Sequence, residues 1–363
     1  MKKLISLLLV LAMALTLVAC GGSKTEETQA AAAETQAAAE PAADVTTYDI
    51  GVAIYQYNDN FMTLYRQEIE AYLKTLETDT VKYNVTMVDG KNDMGEQTAQ
   101  IETFIAQGMD VIILNLVQTS SAEVLIDKIV AAGIPLVLIN REPQGETDES
   151  YAGILDNAEV CYVGADARQS GTYQGEIVAE LENKGDVNGN GTVDYVMIEG
   201  DPENSDAQYR TEYSIKALTD AGIEVNCLVD QVGNWDQTKG QEIAAAALAQ
   251  YGTDIDVIFC NNDAMALGAI EACKTAGVEI NFPIVGIDAT ADGRDAIKNG
   301  ELAMSVFQDP NGQGGGAVAA ALNLINGAPL NEGTNFEVDE TGFILWVPFE
   351  EVTPENVADY DNR

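Results

Sequence analysis

What most constrains this chain is an alternation. From Thr47 onward, short apolar runs of strand length alternate with amphipathic stretches of helical period. The runs fall at 48–54, 81–88, 111–115, 136–140, 161–164, 194–198, 225–229, 257–260, 284–287 and 302–307. Several helical stretches close on a glycine where a left-handed residue is expected: Gly108, Gly133, Gly222 and Gly277. Ala132-Gly133-Ile134-Pro135, Ala221-Gly222-Ile223 and Ala276-Gly277-Val278 repeat one pattern, a helix end feeding the next strand. Strands alternating with helices imply parallel sheets covered on both faces. So many strands overfill one comfortable sheet, and 363 residues suit two domains. The expectation is therefore an α/β protein of two doubly wound domains.

The stretch before this pattern cannot join a core. Lys2 and Lys3 precede an apolar run over 4–17, and Leu17-Val18-Ala19-Cys20 follows. A basic start, a short apolar run and small residues read as a secretory signal over 1–19. The Leu-Val-Ala-Cys ending resembles a bacterial lipobox, which implies cleavage before Cys20 and its acylation. Two or more acyl chains hold a domain at a membrane surface without crossing it. Residues 20–46 lack aromatics and are rich in Ala, Glu, Gln and Thr, so they read as a flexible tether. Export permits disulfides. Yet Cys161, Cys227, Cys260 and Cys273 follow no paired spacing, and Cys161 and Cys260 sit in apolar runs, so buried free thiols are expected there.

Charge and composition narrow the function. A formal net charge of -41 repels phosphate backbones, which argues against a nucleic-acid partner. The chain has no histidine, so Ser-His-Asp triads, Cys-His dyads and His-ligated metals are excluded.

In doubly wound folds, ligands bind beyond the carboxyl ends of the strands. Here those ends carry Tyr55 to Phe61, Asn115, Glu199 to Asp206 with Arg210 one turn on, Trp235-Asp236, Asn261-Asn262-Asp263, Asp288 and Gln308-Asp309. There is no phosphate-cradling glycine loop and no lysine cluster. Carboxylates and amides can each engage two hydroxyls, and aromatic rings stack on C–H faces, so a sugar fits this chemistry. Phe61 and Trp235 come from opposite halves of the chain and are placed to sandwich one ring. Taken singly, a strand-end Asp or Asn is more often a helix cap, and Asn262, Asp288 and Ser205 stand where caps stand.

Several motifs give a more specific resemblance. Gly51-Val52-Ala53-Ile54-Tyr55-Gln56-Tyr57-Asn58-Asp59-Asn60-Phe61, Asn140-Arg141-Glu142-Pro143, Tyr162-Val163-Gly164-Ala165-Asp166, Asn261-Asn262-Asp263-Ala264-Met265 and Gly286-Ile287-Asp288-Ala289 occur in order. Over residues 47–363 the chain resembles the periplasmic galactose/glucose-binding proteins of bacterial ABC transport systems. That resemblance implies two doubly wound parallel-sheet lobes joined by a three-strand hinge, the type I periplasmic-binding-protein architecture. It puts the amino-terminal lobe at 47–141 plus 309–346 and the carboxyl-terminal lobe at 142–308 plus 347–363. It implies sugar contacts from Tyr55, Asp59, Phe61 and Asn115 in the first lobe. In the second they would be Asn204, Asp206, Arg210, Trp235, Asn262 and Asp288, with Gln308 on the last hinge strand. Two positions depart from the family: Asn204 stands where it has a histidine, and Gln308 where it has an asparagine. Both put the choice among hexoses in question.

Asp186-Val187-Asn188-Gly189-Asn190-Gly191-Thr192-Val193-Asp194 has oxygen side chains at positions 1, 3, 5 and 9 of an EF-hand-like loop, glycine at 6 and Thr192 at 7. Position 12 is Met197, so the usual bidentate glutamate is missing. The resemblance supplies a distant acid at Asp256. Being shorter than Glu, it either weakens the site or leaves that contact monodentate. Structural Ca2+ in the second lobe is the expectation.

The sequence thus predicts a lipid-anchored, extracytoplasmic receptor, not an enzyme. It would capture galactose, glucose or a methyl galactoside for an ABC importer permease. Docking to a chemoreceptor is compatible with that role. The rival reading is a secreted glycosidase using paired carboxylates from Asp59, Asp206 and Asp288. Amide-rich surroundings and Arg210 are expected to keep those acids ionised, which disfavours it. A sugar-sensing transcription regulator would need a basic headpiece in place of the acidic tether.

Overall fold

The computed structural model describes residues 44–144 and 157–363. The signal segment, Cys20 and nearly all of the tether lie outside the described residues. The first strand opens one residue before the expected domain start, at Thr46.

The chain alternates as its pattern requires. In order come β1 (Thr46–Ile54), α1 (Asn60–Leu76), β2 (Val81–Asp89), α2 (Met94–Gln107), β3 (Val111–Leu114), α3 (Ala122–Ala131), β4 (Leu136–Ile139) and β5 (Val160–Gly164). Then follow α4 (Ala167–Glu180), β6 (Val193–Glu199), α5 (Ser205–Asp220), β7 (Val225–Val232), α6 (Gln237–Tyr251), β8 (Val257–Cys260) and α7 (Asp263–Ala276). The last elements are β9 (Ile284–Val285), α8 (Ala291–Lys298), β10 (Ser305–Phe307), α9 (Pro310–Asn326), β11 (Ile344–Trp346) and β12 (Glu350–Val352).

Two parallel sheets result. The first is ordered β11-β5-β4-β3-β1-β2, the second β7-β6-β8-β9, and β10 pairs antiparallel with β12. β3 and β4 are buried along their whole length, as sheets covered on both faces demand. Each sheet has an apolar core on either side. In the first, α1 and α9 cover one face and α2 and α3 the other. In the second, α6, α7 and α8 cover one face and α4 and α5 the other. α1 shows why these helices form. Asp59 caps it by accepting from the Met62 N–H, and Met62, Tyr65, Ile69 and Leu73 recur at helical spacing as its buried stripe.

The lobe boundary differs from the expected one. β5 pairs with β4 and β11 in the first sheet, so residues 160–164 belong to the first lobe and not to the second. The crossing comes after Gly164, because α4 packs on α5 of the second lobe. There Gly171 and Gly175 admit the backbone of Arg210 and Ser214, and any Cβ would clash. The three crossings lie side by side. The Val347 N–H donates to the Gly164 carbonyl, and Phe307 pairs with Glu350.

Cys161, Cys227, Cys260 and Cys273 are all free thiols. Cys161 is fully buried, and burial pushes its thiol up to about 12.

Candidate functional site

The carboxyl ends of both sheets face one cleft. Tyr55, Asp59, Phe61, Met62, Asn140 and Arg141 line it from the first lobe. Asn204, Asp206, Arg210, Trp235, Asn262, Asp288 and Gln308 complete the wall. Together they enclose about 310 Å³, mouth included.

The lobes meet across the mouth. The Thr119 N–H donates to the Glu203 carbonyl at 3.1 Å, Ser205 Oγ to the Glu142 carbonyl at 2.8 Å, and Gln144 Nε2 to Gln208 Oε1 at 3.0 Å.

Helix caps and site residues prove to be the same residues. Asp59 Oδ1 caps α1, while Oδ2 accepts from the Tyr55 hydroxyl at 2.7 Å. Asn204 caps α5 and Asn262 caps α7. Ser205 and Asp288 are not caps: Ser205 is the first residue of α5, and Thr290 caps α8. Helix amino termini therefore surround the cleft, each presenting polar groups to it.

The second lobe supplies the charged centre. Arg210 and Asp206, four residues apart on α5, both face the cleft, their Nη2 and Oδ2 atoms 3.5 Å apart. Arg210 Nη1 donates to the Asn261 carbonyl at 2.8 Å, and Nη2 to Gln308 Oε1 at 2.9 Å. Three buried polar atoms here have no partner among the described residues: Asp206 Oδ1, Arg210 Nε and Trp235 Nε1. Buried groups left open in this way are poised for a ligand or water.

Burial outweighs Arg210. It pushes the Asp206 carboxyl up to about 7, with the arginine opposing and Glu142 adding to the rise. It also holds Asp288 well above the usual carboxylate range, against the same arginine. This corrects the expectation that Arg210 and the amides keep these acids ionised. One guanidinium does not offset the desolvation of two buried carboxyls.

Strain concentrates at the cleft. Asn140, Trp235 and Asp288 all line it in left-handed backbone, with φ of 59°, 65° and 114°. Trp235 also needs Gly200, where a Cβ would sit 2.1 Å from the indole ring. The ring touches the cores of both lobes.

Asn115 is not a lining residue. It is fully buried, with Oδ1 accepting from the Tyr55 N–H and Nδ2 donating to the Ile139 carbonyl and to Asn140 Oδ1. β3 lies between β1 and β4, so this short side chain is consumed in bracing the neighbouring strand ends. Arg141, Met62 and Asn140 were not among the sequence candidates. Arg141 is the most informative of them. It stacks 3.6 Å from the Tyr55 ring centroid, donates to the Val117 carbonyl, and reaches Asp201 of the second lobe at 3.4 Å. Its place after β4, in Asn140-Arg141-Glu142-Pro143, was the signal available.

The loop 186–194 closes on itself. Asp186 accepts from the N–H groups of Gly189, Asn190 and Gly191. Asn188 Oδ1 accepts from the Asn190 N–H, and Asn190 Oδ1 from the Thr192 N–H. The amide groups of Asn188 and Asn190 donate to Asp194 Oδ2. Asp256 does come from a distant element to this loop, where it accepts from the Asn188 and Asp194 N–H groups at 2.8 and 2.9 Å. Among the described residues, no three Asp, Glu, His or Cys side chains gather as a metal-holding group. Here the amides fill the centre. The donor set still suits a hard cation, because turning each Asn amide over puts its carbonyl oxygen where its NH2 now lies.

Comparison with known proteins agrees with this architecture. Residues 50–329 match the periplasmic binding protein domain. The chain belongs to that family, whose members bind solutes outside the cytoplasm and are not enzymes. Among its relatives is the D-galactose/methyl-galactoside binding periplasmic protein of Haemophilus influenzae. It is 34% identical over 315 residues, which span 86% of this chain and 91% of that one. A putative rhizopine-binding protein of Rhizobium meliloti is also 34% identical, over 86% of this chain and 93% of its own. A solved ABC transporter solute binding protein from Bacillus halodurans, with bound myo-inositol, is 30% identical. It superposes with a TM-score of 0.72 over 88% of this chain and 98% of that chain.

Proposed function

We propose that this protein captures a single neutral cyclic polyol, a hexose such as galactose or glucose or a methyl galactoside, and delivers it to an ABC importer. The observation that carries this reading is the closed cleft itself. Asp206, Arg210 and Trp235 all line it, and each keeps a buried polar atom with no partner among the described residues. Acceptors of the Asp206 and Asp288 kind take hydroxyl protons, while Arg210 and Trp235 donate to ring oxygens. Phe61 and Trp235, from opposite lobes, offer apolar surface to the C–H faces. Closure of two lobes around the ligand is a hinge motion, and it presents both lobes to the permease. Calorimetry with galactose, glucose, their methyl glycosides, ribose, xylose and myo-inositol tests it. Saturable binding of a hexose is expected, and no binding across the panel refutes the reading. The relative with bound myo-inositol favours a second reading, a cyclitol ligand, and the same panel decides between them.

Two further roles belong to the proposal. Cys20, following the Leu-Val-Ala sequence, carries the lipid that anchors the protein to the outer face of the membrane. Cys20→Ser is expected to release the protein in soluble form, and an unchanged membrane fraction would contradict the anchor. Asp186, Asn188, Asn190, the Thr192 carbonyl, Asp194 and Asp256 hold Ca2+, which neutralises the loop's carboxylates and stabilises the second lobe. A chemoreceptor is a compatible additional partner.

A further inference from the structure

Arg210 is held by three elements, and they are not equivalent. The Asn261 carbonyl, at the end of β8, is backbone and holds Nη1 whatever the side chain. Asp206 lies 3.5 Å from Nη2, longer than an ordinary charged hydrogen bond. Gln308 Oε1 accepts a hydrogen bond from Nη2 at 2.9 Å. Gln308 is itself tightly placed. Phe307 before it is buried and paired with Glu350, while Asp309 after it caps α9. The backbone is therefore fixed on both sides, and side-chain length alone decides what residue 308 reaches. An asparagine would be one C–C bond shorter, about 1.5 Å. From this backbone its oxygen would fall outside hydrogen-bond range of Nη2.

We propose that Gln308 is a positioning residue for Arg210, fixing the guanidinium so that its unpartnered Nε–H points to the ligand. By that means it sets which ring hydroxyl configuration the cleft prefers. With one N–H of Nη1 and one of Nη2 committed to the protein, the arginine offers the ligand a narrower donor edge than a freely turning fork. A fixed donor discriminates between epimers, because the wrong epimer leaves it buried and unpaired. The effect on ligand choice rests on the polyol-binding function proposed above; the effect on Arg210 does not.

The test compares the wild type with Q308E, Q308N and Q308L, each confirmed folded by circular dichroism. Q308E keeps an acceptor at the same reach but loses the amide donor, whereas Q308N and Q308L lose the reach or the acceptor. The first readout is the 15N NMR signal of the Arg210 side chain without ligand, assigned by its loss in R210K. Restricted rotation is expected in the wild type and in Q308E, and averaged signals in Q308N and Q308L. The second is calorimetric affinity for galactose, glucose and myo-inositol. The galactose-to-glucose ratio is expected to change about tenfold in Q308N and Q308L, and to stay within about threefold in Q308E. An Arg210 signal unchanged in Q308L overturns the proposal. A ratio in Q308E that shifts as far as in Q308L also overturns it, since the amide donor would then be the group that matters. If the wild type binds no member of the panel while the Arg210 signal still follows residue 308, the positioning role stands and the proposed ligand class fails.

Discussion

The cleft and the loop 186–194 are built from the same residue types, Asp and Asn, yet the two regions treat them in opposite ways. In the cleft Asp206 and Asp288 are buried with few donors. Asp206 Oδ1 has no partner among the described residues, and burial has pushed the group up to about 7. In the loop the acids are saturated. Asp186 accepts from three backbone N–H groups, and Asp194 from the amides of Asn188, Asn190 and Asn226. Those amides hold the Asp194 carboxyl below its ordinary value, although its burial works the other way. The contrast separates two ways of preparing a polar site. One leaves acceptors open, at a cost in desolvation, so that a ligand is needed to satisfy them. The other satisfies every acceptor internally, so that a cation must replace bonds already made.

The sharpest way to break this contrast is to remove the cleft's cation. Arg210→Met removes the main opposite charge facing Asp206 and Asp288, leaving Arg141 as the other one acting on Asp206, and deletes the Nε donor. A loss of about a hundredfold or more in ligand affinity is expected, since truncating a buried, hydrogen-bonded charge at a binding surface costs about 2–5 kcal/mol. Calorimetry on variant protein of normal circular dichroism checks it. Retention of affinity within tenfold would mean that the cleft does not depend on its charged centre.

The next effect is on pH. Between an ordinary carboxyl value near 4 and about 7, the empty folded protein keeps a proton on Asp206 that the unfolded chain lacks. The contribution of this group to the stability of the empty protein therefore falls as pH rises across that window. A ligand hydroxyl donating to Asp206 bonds more strongly to the ionised form, so affinity should weaken as pH drops below 7, by up to about tenfold per unit for one proton. Asp288 shifts in the same direction. Titration calorimetry from pH 5.5 to 8 should show this slope in the wild type and a shallower one in Asp206→Asn. A flat wild-type profile would show that these carboxyls do not titrate with binding.

The two regions also differ in how legible they were. The alternation of runs gave both sheets, and its strand ends gave nearly the whole cleft, because parallel strands deliver their carboxyl ends to one edge. What it missed depended on neighbours. β11 and β12 are three residues each and are defined by their pairing with β5 and β10, not by a run of their own. β5 was given to the wrong lobe because only its partners reveal which sheet it joins. Asn115 stands at a strand end like the others, but its place at the centre of the first sheet turns it inward. Arg141 was hidden because its use depends on Asp201, 60 residues away in the other lobe. The open or saturated state of each carboxyl was equally invisible, since it depends on donors that only the folded chain brings close.

A smaller effect is expected at the loop. If a cation must replace existing bonds, calcium still stabilises the folded state wherever it binds there and not to the unfolded chain. At about a hundred times the dissociation constant this is worth about 2.7 kcal/mol, or several degrees of melting temperature. Thermal melts with chelator and with excess Ca2+ check it, and coincident curves would remove the metal from the account.

The smallest effect sharpens the same point at Asp256. Its carboxylate is held back by the N–H groups of Asn188 and Asp194. Asp256→Glu adds one methylene, which carries the carboxylate off those two donors and toward the loop centre. Without metal this should destabilise, because each lost hydrogen bond is worth about 1 kcal/mol and its donor stays partly buried. With calcium the longer acid gains reach for a bidentate contact, so the calcium-dependent rise in melting temperature should grow by a few degrees over the wild type. The two signs are expected together: a lower melt with chelator and a larger increment with calcium. If the variant melts lower than the wild type by the same amount under both conditions, Asp256 is a brace for the loop and not a metal ligand. The internal bonds of the loop would then be its finished state.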